Sequence, residues 1–275
     1  MPETPKSIPD GDPRLDPVAA NLTGPATPMV VEAAVAPLKS APDPYGPLAS
    51  TLLHGEVFEV TETVDGWSRG RARSDGYIGH VPAATLGPMD DAARTHAVTT
   101  PMTHLYAAPT IKAEPVGMLF LDSRVRVGGE DGAFARLSSG LYIERTHLAP
   151  VDDHAPDYVA VARMFLHAPY LWGGNTVQGI DCSGLVQMAM ARAGRRVRRD
   201  SDMQEASIGE TVDPGGPLAR GDLVFWRGHV GILTGPDTIL HATEYTLRVL
   251  EEPFAAMRAR LSGLGLDVTS IKRPV

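Results

Sequence analysis

Cysteine is almost absent: the 275 residues hold one, Cys182. A lone thiol cannot close an internal disulfide, which leaves packing, redox sensing or nucleophilic chemistry; the plainest of these is a small buried hydrophobe. No run approaches the ~18 continuous apolar residues that a bilayer span needs, so no membrane partner is expected. Long basic runs are missing too, and the net charge is −8, which argues against nucleic acid as the main partner. The short cluster Arg195-Arg196-Val197-Arg198-Arg199 reads as a solvated helix-end face, with attraction of an anionic peptide as the alternative. The first ten residues, Met1 to Asp10, lack the basic and apolar regions of a signal peptide. A cytoplasmic location is therefore expected, a reducing compartment where a free thiol survives.

What is present centres on that cysteine. Residues 182–193 read as a helix, with Leu185, Val186, Met188 and Ala189 as its apolar stripe and Gly194 as its left-handed stop. Asp181 is placed to cap it. Cys182 then lies in the first turn, where free amides and the helix dipole favour a thiolate, and a nearby imidazolium would lower its pKa further. Upstream, the glycines of Trp172-Gly173-Gly174-Asn175 let the backbone approach a ligand closely.

Two histidines follow. Residues 223–226, 230–233 and 238–242 read as strands, with a turn at Thr234-Gly235-Pro236-Asp237. A hairpin centred on residue 235 would make His229 and His241 direct cross-strand partners, with Cβ atoms roughly 4.5–5.5 Å apart. Val230, Ile232, Leu240 and Ala242 would form a buried layer on the other face. His229 could then pair with the thiolate and protonate a leaving amine, while His241 orients its ring. Structural histidines, or a zinc site with an open position, are the other readings of the same residues; the close ligand spacings usual for zinc are absent, and no metal or cofactor is expected.

The N-terminal half is built differently. Residues 1–28 are proline-rich and read as an extended or partly disordered arm. Two stretches of short strands then repeat at an offset of about 65–66 residues, with Glu56 aligned to Asp122 and Tyr77 to Tyr142. Gly- and Asp-rich turns between them predict two small β-barrels, 29–90 and 91–152. The second has Ala133-Phe134 where the first has Trp67, so its role reads as structural. Both resemble bacterial SH3-like domains.

Five ordered segments, Tyr170-Leu171-Trp172-Gly173-Gly174, Asp181-Cys182-Ser183-Gly184-Leu185, Gly221-Asp222-Leu223-Val224-Phe225, His229-Val230-Gly231-Ile232 and His241-Ala242, resemble the NlpC-type cysteine peptidases of bacterial cell-wall metabolism. The resemblance covers about 155–275. It implies an α+β fold, a papain-like domain (153–275) whose cysteine-bearing helix packs on an antiparallel sheet, behind the two barrels. It also implies Cys182 as nucleophile, His229 as base, His241 as third polar residue, and Tyr170 as a hydroxyl near the reacting centre. Asp181, Ser183, Asp200 and Ser201 match substrate-positioning segments, although Asp181 and Asp200 could equally be helix caps and Tyr170 a core aromatic.

The implied activity is hydrolysis of the γ-D-glutamyl bond to a diamino acid in murein peptides, L-Ala-γ-D-Glu-diaminopimelate or its lysine equivalent, in cell-wall peptide recycling. Glu56 and Tyr77 resemble barrel residues that reach the alanine amine in two-barrel relatives, with Asp181 completing an anionic pocket. The expected partner is thus a murein peptide with a free amino terminus, and the expected oligomeric state a monomer. Two alternatives use the same residues: an amidase or acyltransferase with Cys–His chemistry on another amide or a lipid ester, and a non-catalytic peptidoglycan-binding adaptor.

Overall fold

A computed structural model of the chain describes residues 11–90, 92–213 and 215–274. It divides into two compact units, which among the described residues comprise 11–154 and 155–274.

The first unit is all β apart from two short 3-10 turns. Its first seven strands are β1 (Thr27–Val31), β2 (Val35–Lys39), β3 (Leu48–Leu53), β4 (Val57–Val64), β5 (Trp67–Ala72), β6 (Ile78–Pro82) and β7 (Leu86–Pro88). They form one antiparallel sheet in the order β3-β2-β6-β5-β4-β1-β7. Its interior is small and aliphatic, with Val31, Ala36, Leu38, Phe58, Ala72 and Val81 fully buried. This is what a short strand with alternating apolar residues achieves when it curls over a single core.

The following strands are β8 (His96–Val98), β9 (Met102–Tyr106), β10 (Pro115–Phe120), β11 (Arg124–Val125), β12 (Val127–Asp131), β13 (Phe134–Leu137), β14 (Tyr142–Glu144) and β15 (Leu148–Pro150). They form a five-stranded sheet and a three-stranded one, closed around Val98, Leu119, Val125, Ala135, Leu137 and Ile143. Phe134 opens β13 as Trp67 opens β5, and it is buried in its place.

The first ten residues of the arm lie outside the described residues. The rest is not simply extended: it turns repeatedly over 13–21, buries Leu15, and accepts the Ile78 amide on the Arg14 carbonyl. Thr27 and Pro28 already belong to β1.

The second unit holds α1 (Tyr158–Arg163), the two-residue strands β16 (Asn175–Thr176) and β17 (Gly179–Ile180), α2 (Cys182–Arg192), α3 (Ser201–Ser207), β18 (Glu210–Thr211), β19 (Leu223–Trp226), β20 (His229–Gly235), β21 (Thr238–Thr243), β22 (Arg248–Pro253), α4 (Phe254–Ser262) and β23 (Val268–Arg273). The main sheet is antiparallel in the order β18-β23-β19-β20-β21-β22, and α2 packs on β20 and β21. Val230, Ile232, Leu240 and Ala242 are fully buried, as the alternation of the strands predicts. Each of the larger side chains among them contributes roughly 1.5–3 kcal/mol through burial. On the opposite face, Leu233 and Ile239 pack with Phe254 and Met257 of α4.

A candidate active site at the start of helix α2

The nucleophile end is held by one carboxylate. Asp181 is extended (φ −97°, ψ 179°) and its Oδ1 accepts the Gly184 amide at 2.7 Å, capping α2 so that Cys182 is the first helical residue. The same carboxylate accepts the Gly173 amide at 2.8 Å and both Arg199 Nη groups, at 2.9 and 2.7 Å. Arg199 also donates to Ser183 Oγ at 3.0 Å and to the Gly174 carbonyl at 3.3 Å. A single guanidinium thus ties the glycine loop to the turn that presents the thiol. Gly184 is required there, since a Cβ would lie 2.4 Å from the Gly174 carbonyl oxygen.

One expectation changes here. Arg199 is not part of a solvated face: it is 1 % exposed and the cluster's last residue turns inward. Asp181 accepts from two amides, the guanidinium and the Ser183 hydroxyl (3.3 Å), which occupies the roughly four lone-pair positions of a carboxylate. It anchors the turn. Ser183 is likewise buried, its hydroxyl shared between Asp181 and Arg199. Gln204, fully buried on α3, fastens the same turn by donating to the carbonyls of Ser183 and Arg198.

The base end spans three strands. His229 Nε2 and His241 Nδ1 are hydrogen-bonded at 2.9 Å, with ring centroids 5.1 Å apart and planes at 78°. The register differs from that expected. Ile232 pairs with Leu240 and Leu233 with Ile239, with an irregularity before Gly235 and Thr238. This places Gly231, not His229, opposite His241. A two-residue shift keeps both histidines on one face but makes them diagonal neighbours, still within reach for ring side chains. Gly231 makes this possible: a Cβ there would lie 2.7 Å from the Ile239 Cδ1 and 3.4 Å from the His241 Cβ.

The thiol lies beside the start of β20. The Cys182 sulfur accepts from the Val230 amide, the residue after His229, and from the Ser183 amide. Tyr170 is half-buried, held by its amide on the Leu247 carbonyl at 2.9 Å. Burial first, and then the nearness of Cys182 and Asp181, raise its hydroxyl pKa, so the phenol keeps its proton and remains a donor.

The electrostatics reverse the expected thiolate. Burial, with Asp181 adding, pushes the Cys182 thiol up to about 12, against smaller lowering by the Val230 amide and Arg199. Burial, with His241 and Arg260 adding, pushes His229 down to about 3. The resting pair is therefore a neutral thiol and a neutral imidazole. Helix-end stabilisation of an anion is worth about 0.3–1 kcal/mol, up to ~2 in partly buried sites, too little to offset desolvation of a buried charge.

The other expected residues lie on other elements. Asp200 precedes α3 without a side-chain capping bond, and Ser201 opens that helix; both are half-buried. Glu56 and Tyr77 belong to the first unit. Glu56 is half-buried, accepting the Leu53 amide at 3.2 Å and the Ser74 hydroxyl at 3.0 Å, and Tyr77 is buried in the turn leading into β6. Arg199, Gln204, Glu252 and Arg260 were not anticipated. The last two join the site beyond His241: His241 Nε2 lies 2.9 Å from Glu252 Oε1, and Arg260 holds Glu252 from α4. The visible trace of Glu252 is only its alternation along β22.

A buried thiol at a helix start, served by two imidazoles from an antiparallel sheet, defines a cysteine–histidine site on a papain-like α+β scaffold. Residues 167–260 match the NlpC/P60 family and residues 38–86 the bacterial dipeptidyl-peptidase Sh3 domain. The chain thus carries an NlpC/P60 family domain behind an SH3 domain of the bacterial dipeptidyl-peptidase type. It is 34% identical over 119 residues to dipeptidyl-peptidase 6 of Lysinibacillus sphaericus, covering 40% of this chain and 43% of that protein. Over 224 residues it is 26% identical to the gamma-D-glutamyl-L-lysine dipeptidyl-peptidase of Bacillus cereus, covering 73% of this chain and 63% of that one. The chain therefore spans less than two thirds of either relative's length. The crystal structure of an NlpC/P60 family protein from Bacillus cereus shares the fold, with a TM-score of 0.77 over 90% of this chain and 99% of that chain, at 21% identity.

Proposed function

We propose that the chain is a cysteine peptidase that hydrolyses the γ-D-glutamyl bond to a diamino acid in murein peptides with a free amino terminus. The observation that carries this reading is the hydrogen-bonded pair His229–His241, with the Cys182 thiol bonded to the amide of the residue that follows His229. With both groups neutral at rest, His229 acts as general base: it takes the thiol proton as the sulfur attacks the γ-carbonyl carbon. The Tyr170 hydroxyl and the Cys182 amide at the start of α2 are the donors for the oxyanion. His229 then gives its proton to the leaving amine, which departs as the C–N bond breaks. Water, deprotonated by the same ring, cleaves the thioester and restores the thiol.

The preference for a free amino terminus is supported by Glu56. Burial, with Asp75 adding, pushes its carboxyl up to about 7. A carboxylate that costly to keep charged gains from an ammonium partner. Glu56, Tyr77 and Asp181 remain the residues proposed to meet the substrate amine. Asp200 and Ser201 remain proposed cleft residues. Released peptides carry a free alanine amine and the intact wall does not, so this selectivity would direct the enzyme to recycling.

The test compares L-alanyl-γ-D-glutamyl-diaminopimelate, its lysine counterpart and their N-acetyl forms, with products identified by mass spectrometry. Cleavage after D-glutamate in the free peptides, reduced roughly ten- to a hundredfold by acetylation, is expected from the ~1.5–3 kcal/mol of a lost hydrogen bond to a charged group. KM for the free peptide should fall as pH rises through about 7, where Glu56 ionises. Equal cleavage of free and acetylated peptides would overturn the amino-terminal preference, and an amine product other than the diamino acid would overturn the bond assignment.

A further inference from the structure

We infer that Glu252, clamped by Arg260, is a positioning residue that sets the proton-bearing nitrogen of both histidines and so makes His229 able to act as a base. Kinetically this rests on the peptidase reading; its spectroscopic test does not.

The placement is systematic. His241 pairs with Leu250 across β21 and β22, so Glu252 lies two residues along on the same face. His229, His241 and Glu252 thus come from three adjacent strands, each diagonal to the next, and form a continuous hydrogen-bonded line. Arg260 Nη1 donates to Glu252 Oε2 at 2.9 Å and Nη2 donates to Oε1, a two-pronged contact. The guanidinium is itself seated over the Tyr245 ring, 4.6 Å from its centroid.

The direction of the hydrogen bonds follows from the acid. Arg260 holds the Glu252 carboxyl below its ordinary pKa, with His241 adding, against desolvation. An ionised carboxylate only accepts, so His241 must carry its proton on Nε2. Its Nδ1 then has a lone pair and accepts from His229 Nε2–H. The remaining nitrogen of His229, Nδ1, is left with a lone pair to receive the thiol proton. One carboxylate therefore orders two rings.

Its role goes beyond stabilising a charged ring. Burial, with the Arg260 cation adding, lowers the pKa of both His229 and His241, while the Glu252 bond and charge pull that of His241 partly back up. What Glu252 contributes beyond that pull is direction. In the serine triad, an amide in place of the orienting carboxylate costs about 10⁴ in kcat through the wrong tautomer.

The test is Glu252→Gln in the full chain, with histidine ring nitrogens labelled with ¹⁵N and assigned through His229→Gln and His241→Gln. The amide donates to His241 Nε2, so the proton of each ring is expected to move to Nδ1. With a free murein peptide, kcat should fall about 10²-fold or more while KM stays within about twofold. Arg260→Met provides a second variant that leaves Glu252 in place: the acid limb of kcat should move to higher pH as Glu252 and the imidazoles regain higher pKa values. A role in folding alone would lower Tm without moving ring protons or the acid limb. Unmoved ring protons in Glu252→Gln, or moved protons with unchanged kcat, would overturn the inference. If the native chain cleaves no murein peptide but the ring protons move as expected, the ordering of the rings stands and the proposed function falls.

Discussion

Two arginine–carboxylate pairs hold the two halves of this site, and they act differently. Asp181–Arg199 is sealed, with side chains 9 % and 1 % exposed; Glu252–Arg260 is more open, at 14 % and 24 %. Asp181 gives its lone pairs to backbone amides, a hydroxyl and the guanidinium, so it fixes where the thiol stands. Glu252 gives one oxygen to a titratable ring, so it acts on which atom carries a proton. The same pair of functional groups is mechanical when its neighbours are amides and chemical when its neighbour is an imidazole.

That contrast can be broken most severely at the reacting groups between the two pairs. Cys182→Ala should abolish peptide turnover with the fold intact by circular dichroism, and His229→Ala should come close to it. His241→Ala should lose less, since water can partly replace an orienting group. Full turnover in the presence of a thiol alkylator would remove Cys182 from the mechanism.

Next in size is Arg199→Leu. It leaves Asp181 buried without its cation, which should cost about 3–5 kcal/mol in urea denaturation. Glu252→Gln should cost much less stability but should affect kcat, because its pair is nearer solvent and its partner is a ring. Equal stability losses in the two variants would erase the distinction between a mechanical and a chemical pair.

A smaller effect should appear in the pH dependence of stability. The unfolded chain protonates His229 near its ordinary 6.5, whereas the native ring resists until about 3. A depressed imidazole pKa means that the unfolded state binds the proton first, so native stability declines as pH falls from 6.5 toward 3. His229→Gln should flatten that slope, measured by urea denaturation across the range. Because both groups are neutral at rest, kcat/KM should lack an ordinary histidine limb near 6.5; the change near 7 should belong to Glu56 and disappear in Glu56→Gln.

Local pattern was enough for much of this molecule. The apolar stripe of α2, the cap at Asp181 and the stop at Gly194, whose φ is 76°, are set within about a dozen residues. The strand of residues 223–226 and the buried alternation in β20 and β21 are equally local, because period-two burial is written in consecutive side chains. The spaced segments around Cys182, His229 and His241 likewise identified the nucleophile's neighbourhood before any fold was known.

Only the tertiary structure decided the rest. The hairpin register shifted by two because an irregularity before Gly235 and the space beside Gly231 favour a diagonal histidine pair. A parity argument cannot detect such a shift, since either register keeps both rings on the same face. Arg199 looked like one more charge in a basic run until its 18-residue separation from Asp181 closed in space. Glu252 and Arg260 joined the histidines through strand pairing and a helix that follows it. The protonation of the thiol was decided by burial, a sum over atoms brought together from the whole domain. Sequence determines which groups are available and how each element turns its faces; desolvation and long-range pairing, which decide what those groups do, exist only once the elements are packed.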